Sequence, residues 1–425
     1  MNIRYKNCRI LTSDLKVLDN AELITKDDKI FYSGTADKAA EVIADMTFDR
    51  EIDCDNNLLM PGFKNAHTHT AMTFSRSLAD DLTLDDWLHK AIFPREAKLT
   101  EDHIYWFTKL GFAEYLAGGI TSCFDMYFKL PAAARAAKET GFRFVICGSV
   151  NDFGGIETLE DEYNEYNSFD DLVSYILGFH AEYTTSENIL KTISEISHKY
   201  EAPVFTHVSE TKAEVEGCVG RYGMSPVKLF DKLGLYDFGG GGFHCVWFDD
   251  EDMKIFKDRN LYAVFNACSN LKLASGIAPV AKFRDFGINT AIGTDGAGSN
   301  NALDIFREIY LDNVLSNIGA GQAAVIPPEY TLESAIKGGA LCMGLKDCVS
   351  LDAGMKADFI MIDMHHPASL PENNIVANLV YSGSPALVKM TVINGKVLYE
   401  NGQYTTLDIE EIRKVTQEMV KDLAI

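Results

Sequence analysis

Two histidines separated by one residue, His67 and His69, follow an apolar stretch of the chain. Residues i and i+2 of a strand share a face, so both imidazoles can reach one metal ion. Later apolar stretches also end in residue types that a hydrolytic metal site needs: His207 with Glu210, then His244, then Asp295. Because the chain has only 10 histidines, this recurrence favours one shared metal site over separately satisfied polar residues.

The cysteines offer a second set of candidate ligands. Their number, 9, is odd, and no two of them form a Cys-x-x-Cys pair. This pattern predicts reduced, small hydrophobic side chains in a cytoplasmic protein. Cys245 and Cys268 lie close in sequence to proposed site residues, so thiolate ligands are an alternative. Histidine and carboxylate ligands already suffice for a zinc site, however.

Composition limits the possible partners. A chain of 425 residues with 47% hydrophobic residues can bury a sizeable core, either as one large barrel with an appendage or as two domains. The net charge of -23 argues against nucleic acid and anionic membranes and leaves a small-molecule substrate. No apolar run approaches the roughly 20 residues of a membrane span. The N-terminus lacks the apolar core of a signal peptide.

The order of predicted elements indicates an α/β fold. Short strands are expected at residues 2–12, 20–25 and 29–34. From residue 58 onward, apolar strands alternate with helices, among them residues 101–117, 130–140 and 187–200. The eight predicted strands cover residues 58–66, 121–126, 142–150, 175–180, 204–208, 242–247, 262–266 and 289–294. Such alternation over roughly 240 residues predicts a closed (β/α)8 TIM-type barrel.

An open doubly wound sheet is the alternative. Against it, no glycine-rich phosphate loop follows the first strand, where His67 and His69 stand instead. Strands are expected again at residues 358–363 and 388–399, with a hairpin turn at Asn394-Gly395, and an amphipathic helix at 408–423. We therefore predict a barrel at residues 58–354 and a small β-sandwich domain formed by residues 1–57 and 355–425.

In a parallel barrel the carboxyl ends of all strands meet at one mouth. His180 would follow the fourth strand and so join the six candidates above. Three imidazoles and a carboxylate, with a position left for water, make a catalytic zinc site that lowers the pKa of the water from roughly 15.7 to about 7. Asp295 or His244 could orient this water. Glu210, kept protonated by burial, could carry a proton to a ring nitrogen of the substrate.

Several longer segments resemble the amidohydrolase superfamily, in particular its branch of methylthioadenosine/S-adenosylhomocysteine deaminases, guanine deaminases and s-triazine hydrolases. The resemblance covers essentially the whole chain. The segments that carry it are residues 61–70, 78–82 with Trp87-Leu88, 207–211, 244–247, 269–279, 293–301 and 354–358.

The resemblance implies one divalent metal per chain, zinc or alternatively Fe²⁺, and a homo-oligomer. Its implied metal ligands are His67, His69, His207 and Asp295. Glu210 would shuttle the proton, and His244 and Asp295 would position the attacking water. Trp87 and Glu96 match residues that line the pocket and bind ribose hydroxyls, while His180 matches a histidine that hydrogen-bonds the base. Core packing for Trp87 and a favourable helix-start position for Glu96 are the alternatives.

The predicted function is a metal-dependent hydrolytic deaminase of an aminated purine, with an adenosine-type nucleoside as the first choice. The alternatives are a guanine or other amino-heterocycle deaminase, a triazine-type hydrolase, and a catalytically silent scaffold. Relatives carry arginines near segments that here contain Cys147 and Ile156, and often a histidine at Phe265. Without those arginines, we expect adenosine or 5′-methylthioadenosine to be preferred over S-adenosylhomocysteine, unless Arg76, Arg143 or Arg221 reaches the pocket.

Overall fold

The computed structural model describes residues 1–43, 46–78 and 80–423. Ala79, which belongs to the segment 78–82 noted above, lies outside these described residues. So do Ala44 and Asp45 and the last two residues of the chain.

The strands form two separate sheets. In chain order they are β1 (Asn2–Leu11), β2 (Val17–Lys26), β3 (Lys29–Thr35), β4 (Arg50–Asp53), β5 (Leu58–Pro61), β6 (Phe63–Thr68), β7 (Ile120–Asp125), β8 (Arg143–Cys147), β9 (Val173–Ala181), β10 (Val204–Val208), β11 (Gly240–His244), β12 (Tyr262–Phe265), β13 (Asn289–Ile292), β14 (Phe359–Ile362), β15 (Val388–Ile393), β16 (Lys396–Glu400) and β17 (Gln403–Tyr404).

The helices fall mostly between the strands of the second sheet. In chain order they are α1 (Ala36–Val42), α2 (Leu84–Asp86), α3 (Phe93–Glu96), α4 (Glu101–Ala117), α5 (Leu130–Thr140), α6 (Leu159–Tyr166), α7 (Glu187–Tyr200), α8 (Lys212–Tyr222), α9 (Pro226–Lys232), α10 (Asp250–Asp258), α11 (Ala267–Lys272), α12 (Val280–Phe286), α13 (Ile305–Ala320), α14 (Pro328–Glu333), α15 (Gly339–Cys342), α16 (Ile375–Tyr381) and α17 (Ile409–Asp422). Two π-helical segments, Trp87–Ile92 and Ser334–Gly338, and 3₁₀ turns at Thr70–Ser75, Glu182–Thr184, Pro367–Ser369 and Pro385–Leu387 complete the set.

Strands β6 to β13 form the predicted parallel barrel. Each strand pairs with the next in chain order, and all the pairings are parallel. The burial of these strands is nearly continuous, as expected for a parallel sheet that helices cover. An eight-stranded barrel of this kind fills its interior with side chains and carries functional groups on the loops at the carboxyl ends of its strands.

The first and last barrel strands meet through side chains as well as backbone. The Asn65 side chain accepts from the Thr294 amide at 2.9 Å and donates to the Thr294 hydroxyl at 2.7 Å. The Asp295 amide donates to the carbonyl of His67 at 3.0 Å. Closing the barrel at this point places Asp295 beside the two histidines of β6, so the fold itself assembles half of the candidate site.

A separate sheet formed by both termini is confirmed, and it also includes β5 from the range predicted for the barrel. Its nine strands are hydrogen bonded in one sheet, in the order β17-β16-β15-β14-β5-β1-β2-β3, with β4 paired to β1. This sheet has a separate apolar core, which includes Tyr5 packed edge-to-face against Phe359. The hairpin turn at Asn394-Gly395 joins β15 to β16 as predicted.

The strand predicted at residues 58–66 is in fact two strands in different sheets. Leu58–Pro61 pairs with β14 of the terminal sheet, whereas Phe63–Thr68 pairs with β7 of the barrel. The chain passes from one sheet to the other at Gly62, where a Cβ atom would lie 2.1 Å from Thr121 Cγ2. The uninterrupted apolar sequence hides this break, because both halves are buried.

Helices of the described residues are all too short or too polar to cross a bilayer.

Candidate metal-dependent active site

The carboxyl ends of the barrel strands bring the predicted site residues to one place. His67 lies near the end of β6 and His69 directly follows it. His207 lies in β10, His244 is the last residue of β11, and Asp295 follows β13. A cavity of about 740 Å³ opens there, lined by His69, His207, Glu210, His244 and Asp295 among others. The expected convergence of strand ends therefore holds for these residues.

Three imidazoles and one carboxylate form a compact cluster. One ring nitrogen each from His67, His69 and His207 lie within 4.8 Å of one another. Asp295 Oδ1 is 3.2 Å from His69 Nε2 and 3.7 Å from His67 Nε2. This spacing brings the donor atoms of the predicted ligands around one point, as a single ion requires.

Backbone carbonyls orient two of the imidazoles. His69 Nδ1 lies 2.5 Å from the carbonyl oxygen of Met126, and His207 Nδ1 lies 2.6 Å from that of His180. A neutral histidine that donates through Nδ1 leaves Nε2 unprotonated, which is the form that binds metal. Burial lowers the pKa of His69, but the hydrogen bond and charge of Asp295 raise it to about 9, so a metal ion would have to displace the Nε2 proton of this residue. The His67 ring is held instead by stacking on Phe243, with ring centroids 3.9 Å apart.

The buried ring nitrogens of His67 indicate that a cation fits this cluster. Both are inaccessible and have no hydrogen-bond partner among the residues that the structure describes. Burying such groups without a partner is costly, so an ion here would satisfy an otherwise orphaned ligand. Burial also lowers the pKa of His67 and His207 well below the usual range, which keeps both rings neutral and able to coordinate. The donor set fits a divalent metal.

Asp295 is held in place by several donors. The Gly296 amide donates to Oδ1 at 2.7 Å, and the hydroxyls of Ser269 and Ser299 donate to Oδ2 at 2.6 and 2.8 Å. Burial alone would raise the pKa of this carboxyl, but the hydrogen bond from His69 and the neighbouring imidazoles hold it well below its usual range. Asp295 is therefore an ionised carboxylate in a fixed orientation, as a metal ligand would need to be.

Glu210 lies beside the cluster without joining it. Its Oε1 accepts from the Ser275 hydroxyl at 2.8 Å, and its Oε2 is 3.7 Å from His244 Nε2. Burial raises the pKa of Glu210, which favours a protonated carboxyl at higher pH than usual. A second buried acid, Glu214, accepts from the amides of Ser209 and Glu210 at 2.7 and 2.8 Å and so fixes the loop. Burial raises the pKa of Glu214 to about 8.

His244 has one ring nitrogen occupied and one directed toward Glu210. Its Nδ1 lies 2.7 Å from Asn270 Oδ1, an oxygen that can only accept. The Nε2 atom is therefore unprotonated when the ring is neutral. His244 and Asp295 both have positive φ values, 72° and 58°. Non-glycine residues in this conformation cluster at functional sites.

The three predicted substrate-binding residues, Trp87, Glu96 and His180, all line the same cavity. Glu96 accepts from the Tyr127 hydroxyl at 2.7 Å, and burial raises its pKa. Glu96 is the last residue of the four-residue α3 and also lies in its first turn, so the helix-start position remains an alternative role for it. His180 Nδ1 lies 2.8 Å from the Thr184 hydroxyl, and burial together with the charge of His69 lowers the pKa of His180 to about 4. Trp87 is 6% exposed and also packs in the core.

Some residues of the site had no predicted role. Three of them, Ser269, Asn270 and Ser275, lie in the segment 269–279, which carries part of the family resemblance. That resemblance is the only feature of the sequence that could have indicated a role for them. Tyr127 contacts Glu96, which is 31 residues away in the sequence. Glu214 contacts the backbone of Ser209 from the helix that follows it. No spacing in the sequence indicates either contact.

The thiolate alternative is not favoured by the structure. All 9 cysteines are buried and free of disulfides. Burial raises the pKa of Cys245 and Cys268, so both thiols stay protonated. Neither belongs to the histidine cluster found among the described residues. Phe265, where relatives often have a histidine, is 1% exposed and packs against Phe283 with ring centroids 5.2 Å apart.

Comparison with known proteins shows the family of this chain. The model of the amidohydrolase family matches residues 58–398, and the chain belongs to that family. It is 37% identical over 433 residues to a 5-methylthioadenosine/S-adenosylhomocysteine deaminase from Moorella thermoacetica, covering 99% of both chains. A protein of the same name from Thermoanaerobacter pseudethanolicus is 35% identical over 434 residues, covering 100% of this chain and 99% of the other.

Among solved structures, an adenosine deaminase from Xanthomonas campestris with bound zinc is similar throughout. Its TM-score is 0.93 with 27% sequence identity, and the match covers 99% of this chain and 98% of that one.

Proposed function

We propose that this protein is a metal-dependent hydrolytic deaminase that replaces the exocyclic amine of an adenosine-type nucleoside with oxygen and releases ammonia. The observation that carries the proposal is the placement of Glu210 beside the histidine–aspartate cluster in one cavity. His244 Nε2 and the Ser275 hydroxyl both lie against its carboxyl group. A metal site with an adjacent buried acid supplies the two elements that hydrolysis of a ring amidine needs.

The proposed metal ligands are His67, His69, His207 and Asp295, with zinc as the first choice. A divalent ion bound there would make water nucleophilic near neutral pH. The bound zinc of the structurally similar adenosine deaminase supports this choice of metal. The neutral state of His67 and His207 and the ionised state of Asp295 are the protonation states that coordination requires.

Glu210 is the proposed proton carrier. Its raised pKa leaves a proton on the carboxyl group to donate to a ring nitrogen of the purine, which makes the adjacent carbon more electrophilic. Ser275 holds one carboxyl oxygen, so the other is free to face the substrate. Glu214 fixes the backbone that carries Glu210.

His244 is the proposed water-positioning residue together with Asp295. Because Asn270 occupies Nδ1, the unprotonated Nε2 can accept a hydrogen bond from the attacking water. The hydroxyls of Ser269 and Ser299 donate to Oδ2 of Asp295 and fix its orientation. This keeps the Asp295 carboxylate and His244 Nε2 in a fixed arrangement as the two acceptors for the water.

Trp87, Glu96 and His180 are the proposed substrate contacts. Glu96 offers a carboxylate oxygen to ribose hydroxyls, and its bond to Tyr127 fixes its orientation. His180 is neutral and can hydrogen-bond the base through the ring nitrogen that Thr184 does not occupy. A nucleoside therefore uses polar groups that a free base would leave unpaired.

A substrate panel tests this proposal. Ammonia release is measured for adenosine, 5′-methylthioadenosine, S-adenosylhomocysteine, guanine, aminotriazines and pterins, alongside the metal content of the protein. We expect turnover of the nucleosides with about one divalent ion per chain, and loss of both activity and metal in His67→Ala. Turnover of guanine or a triazine alone would replace the nucleoside assignment. Full activity without metal would contradict the mechanism.

A further inference from the structure

Phe153 stands at the mouth of the cavity. Phe153 is 90% exposed, which is the largest value for a large hydrophobic residue among those described. It nevertheless lines the same cavity as residues of the metal cluster. Single exposed hydrophobic residues are ordinary on protein surfaces. An aromatic ring at the rim of a deep site differs, because a bound ligand can cover it and gain the free energy of burying it.

The turn that carries Phe153 is held firmly at its base. The Asn151 side chain accepts from the Phe153 amide at 2.9 Å, and the backbones of Asn151 and Gly154 exchange hydrogen bonds of 3.1 Å. The Asp152 amide donates to the carbonyl of Thr184 at 2.8 Å, which ties the turn to the segment after β9. The ring is therefore presented at the mouth by ordered backbone.

The glycines after Phe153 explain how the turn reaches this position. Gly154 and Gly155 have φ values of 154° and 97°, which side chains rarely permit. A Cβ atom on Gly154 would meet nothing within 4 Å, so the conformation, not crowding, requires glycine there. The chain thus accepts an unusual backbone to place an aromatic ring beside the cavity.

The charges around the cavity favour a neutral ligand at this end. Apart from the histidines, Lys129 is the only basic side chain among the described residues that line the cavity, whereas Glu96 and Glu162 both contribute carboxyl groups. The three arginines considered from sequence are engaged elsewhere, in the pairs Arg76–Glu114, Arg143–Asp358 and Arg221–Glu182. No arginine fork is therefore available along the described cavity wall for an anionic group.

The proposed reaction fixes which part of the substrate meets Phe153. The amine-bearing carbon must lie at the metal cluster and Glu210, deep in the cavity. The ribose and its C5′ substituent would then extend toward the mouth, where Phe153 and Phe128 supply apolar surface.

We propose that Phe153 is a specificity-determining residue whose ring covers an apolar substituent on C5′ of the nucleoside. The enzyme then selects a thioether such as 5′-methylthioadenosine over a C5′ hydroxyl or a charged amino-acid substituent. This inference rests on the proposed deaminase function and assigns its outer subsite. Loss of one apolar contact in such a pocket changes selectivity by roughly 10- to 200-fold.

The test compares kcat/KM for 5′-methylthioadenosine, adenosine and S-adenosylhomocysteine in the wild type, Phe153→Ala and Phe153→Leu. The ratio of 5′-methylthioadenosine to adenosine should fall about tenfold in Phe153→Ala and be largely retained in Phe153→Leu, which keeps an apolar side chain. Phe238→Ala is the matched control. Phe238 is 36% exposed, packs on His198 with ring centroids 5.2 Å apart, and is not among the cavity-lining residues.

A binding measurement separates specificity from chemistry. The ratio of dissociation constants for the products 5′-methylthioinosine and inosine should change in Phe153→Ala by a similar factor. An unchanged ratio in an active Phe153→Ala enzyme, or a wild type that prefers S-adenosylhomocysteine, would overturn the role of Phe153 alone. Absence of turnover of all three nucleosides by the wild type would overturn the proposed function, and this inference with it.

Discussion

At the scale of single residues, the site contains two buried carboxyl groups, Asp295 and Glu210, whose pKa values are shifted in opposite directions by different neighbours. Asp295 faces imidazoles and three donors, so its pKa is held well below the usual range against the effect of burial. Glu210 has one hydroxyl donor and is otherwise desolvated, so its pKa is raised. Two carboxyl groups of one cavity are thereby suited to different roles, one as a ligand and one as a proton carrier.

The role of Glu210 can be tested with Glu210→Gln, which keeps the shape of the side chain but cannot deliver a proton. We expect metal content and substrate affinity to be nearly unchanged while kcat falls roughly 10²- to 10⁴-fold. Because burial raises the pKa of Glu210, its proton is present at low pH and is lost as pH rises through that value, so the wild-type rate should decline there. Steady-state kinetics across pH give both results. A variant that keeps more than about a tenth of wild-type kcat would contradict the role.

The residues of the cluster could be predicted because each follows an apolar strand, and strand ends converge in a barrel. The supporting residues could not be predicted in the same way. Asn270 occupies a helix far along the chain from His244, and Tyr127 reaches Glu96 from the loop after β7. Their roles depend on side-chain directions in the folded protein, which neither spacing nor residue type specifies.

At the scale of elements, the site depends on how closely the last barrel strand approaches the first. Gly293 follows β13, and a Cβ atom there would lie 2.6 Å from the backbone nitrogen of His67 and 2.7 Å from its carbonyl oxygen. Those contacts are with backbone, which cannot move aside cheaply. The sequence predicted both strands but not this contact, and it also missed the division of residues 58–66 between two sheets, since continuous burial leaves no polar residue at the break.

Gly293→Ala should therefore push Asp295 away from the histidines. We expect metal affinity to fall about 10- to 100-fold, as for other changes that disturb ligand orientation, while the protein still folds. Competition with a chromophoric chelator measures this affinity. Gly319→Ala in α13 is the matched control, because a Cβ atom there meets nothing within 4 Å. Equal metal affinity in Gly293→Ala and wild type would show that the strand contact does not set the site.

At the scale of the whole molecule, a buried ion pair joins the barrel to the terminal sheet. Arg143 of β8 donates to both carboxylate oxygens of Asp358, at 2.6 and 3.1 Å. The backbone amide of Asn394 donates to the same carboxylate at 2.7 Å. Lys64 is also fully buried nearby, bonded to the Thr121 hydroxyl at 2.6 Å, and burial lowers its pKa. Asp358 is thus the buried partner of Arg143, and its charge opposes the effect of burial on the pKa of Lys64.

Asp358→Ala should destabilise the protein by about 3–5 kcal/mol, since it leaves Arg143 buried without its partner. Chemical denaturation followed by circular dichroism measures the loss. Arg413→Ala, which removes the exposed pair with Glu410, is the control and should have little effect. A loss no larger than that of the control would show that the two sheets are held together by apolar packing alone.

The central claim, hydrolytic deamination of an adenosine-type nucleoside, is tested most directly by mass spectrometry of the reaction run in ¹⁸O-labelled water. With 5′-methylthioadenosine we predict one product in which the exocyclic amine is replaced by a single ¹⁸O atom, together with one equivalent of ammonia. A nucleoside recovered unchanged, or a product that retains the amine, such as free adenine, would contradict the account.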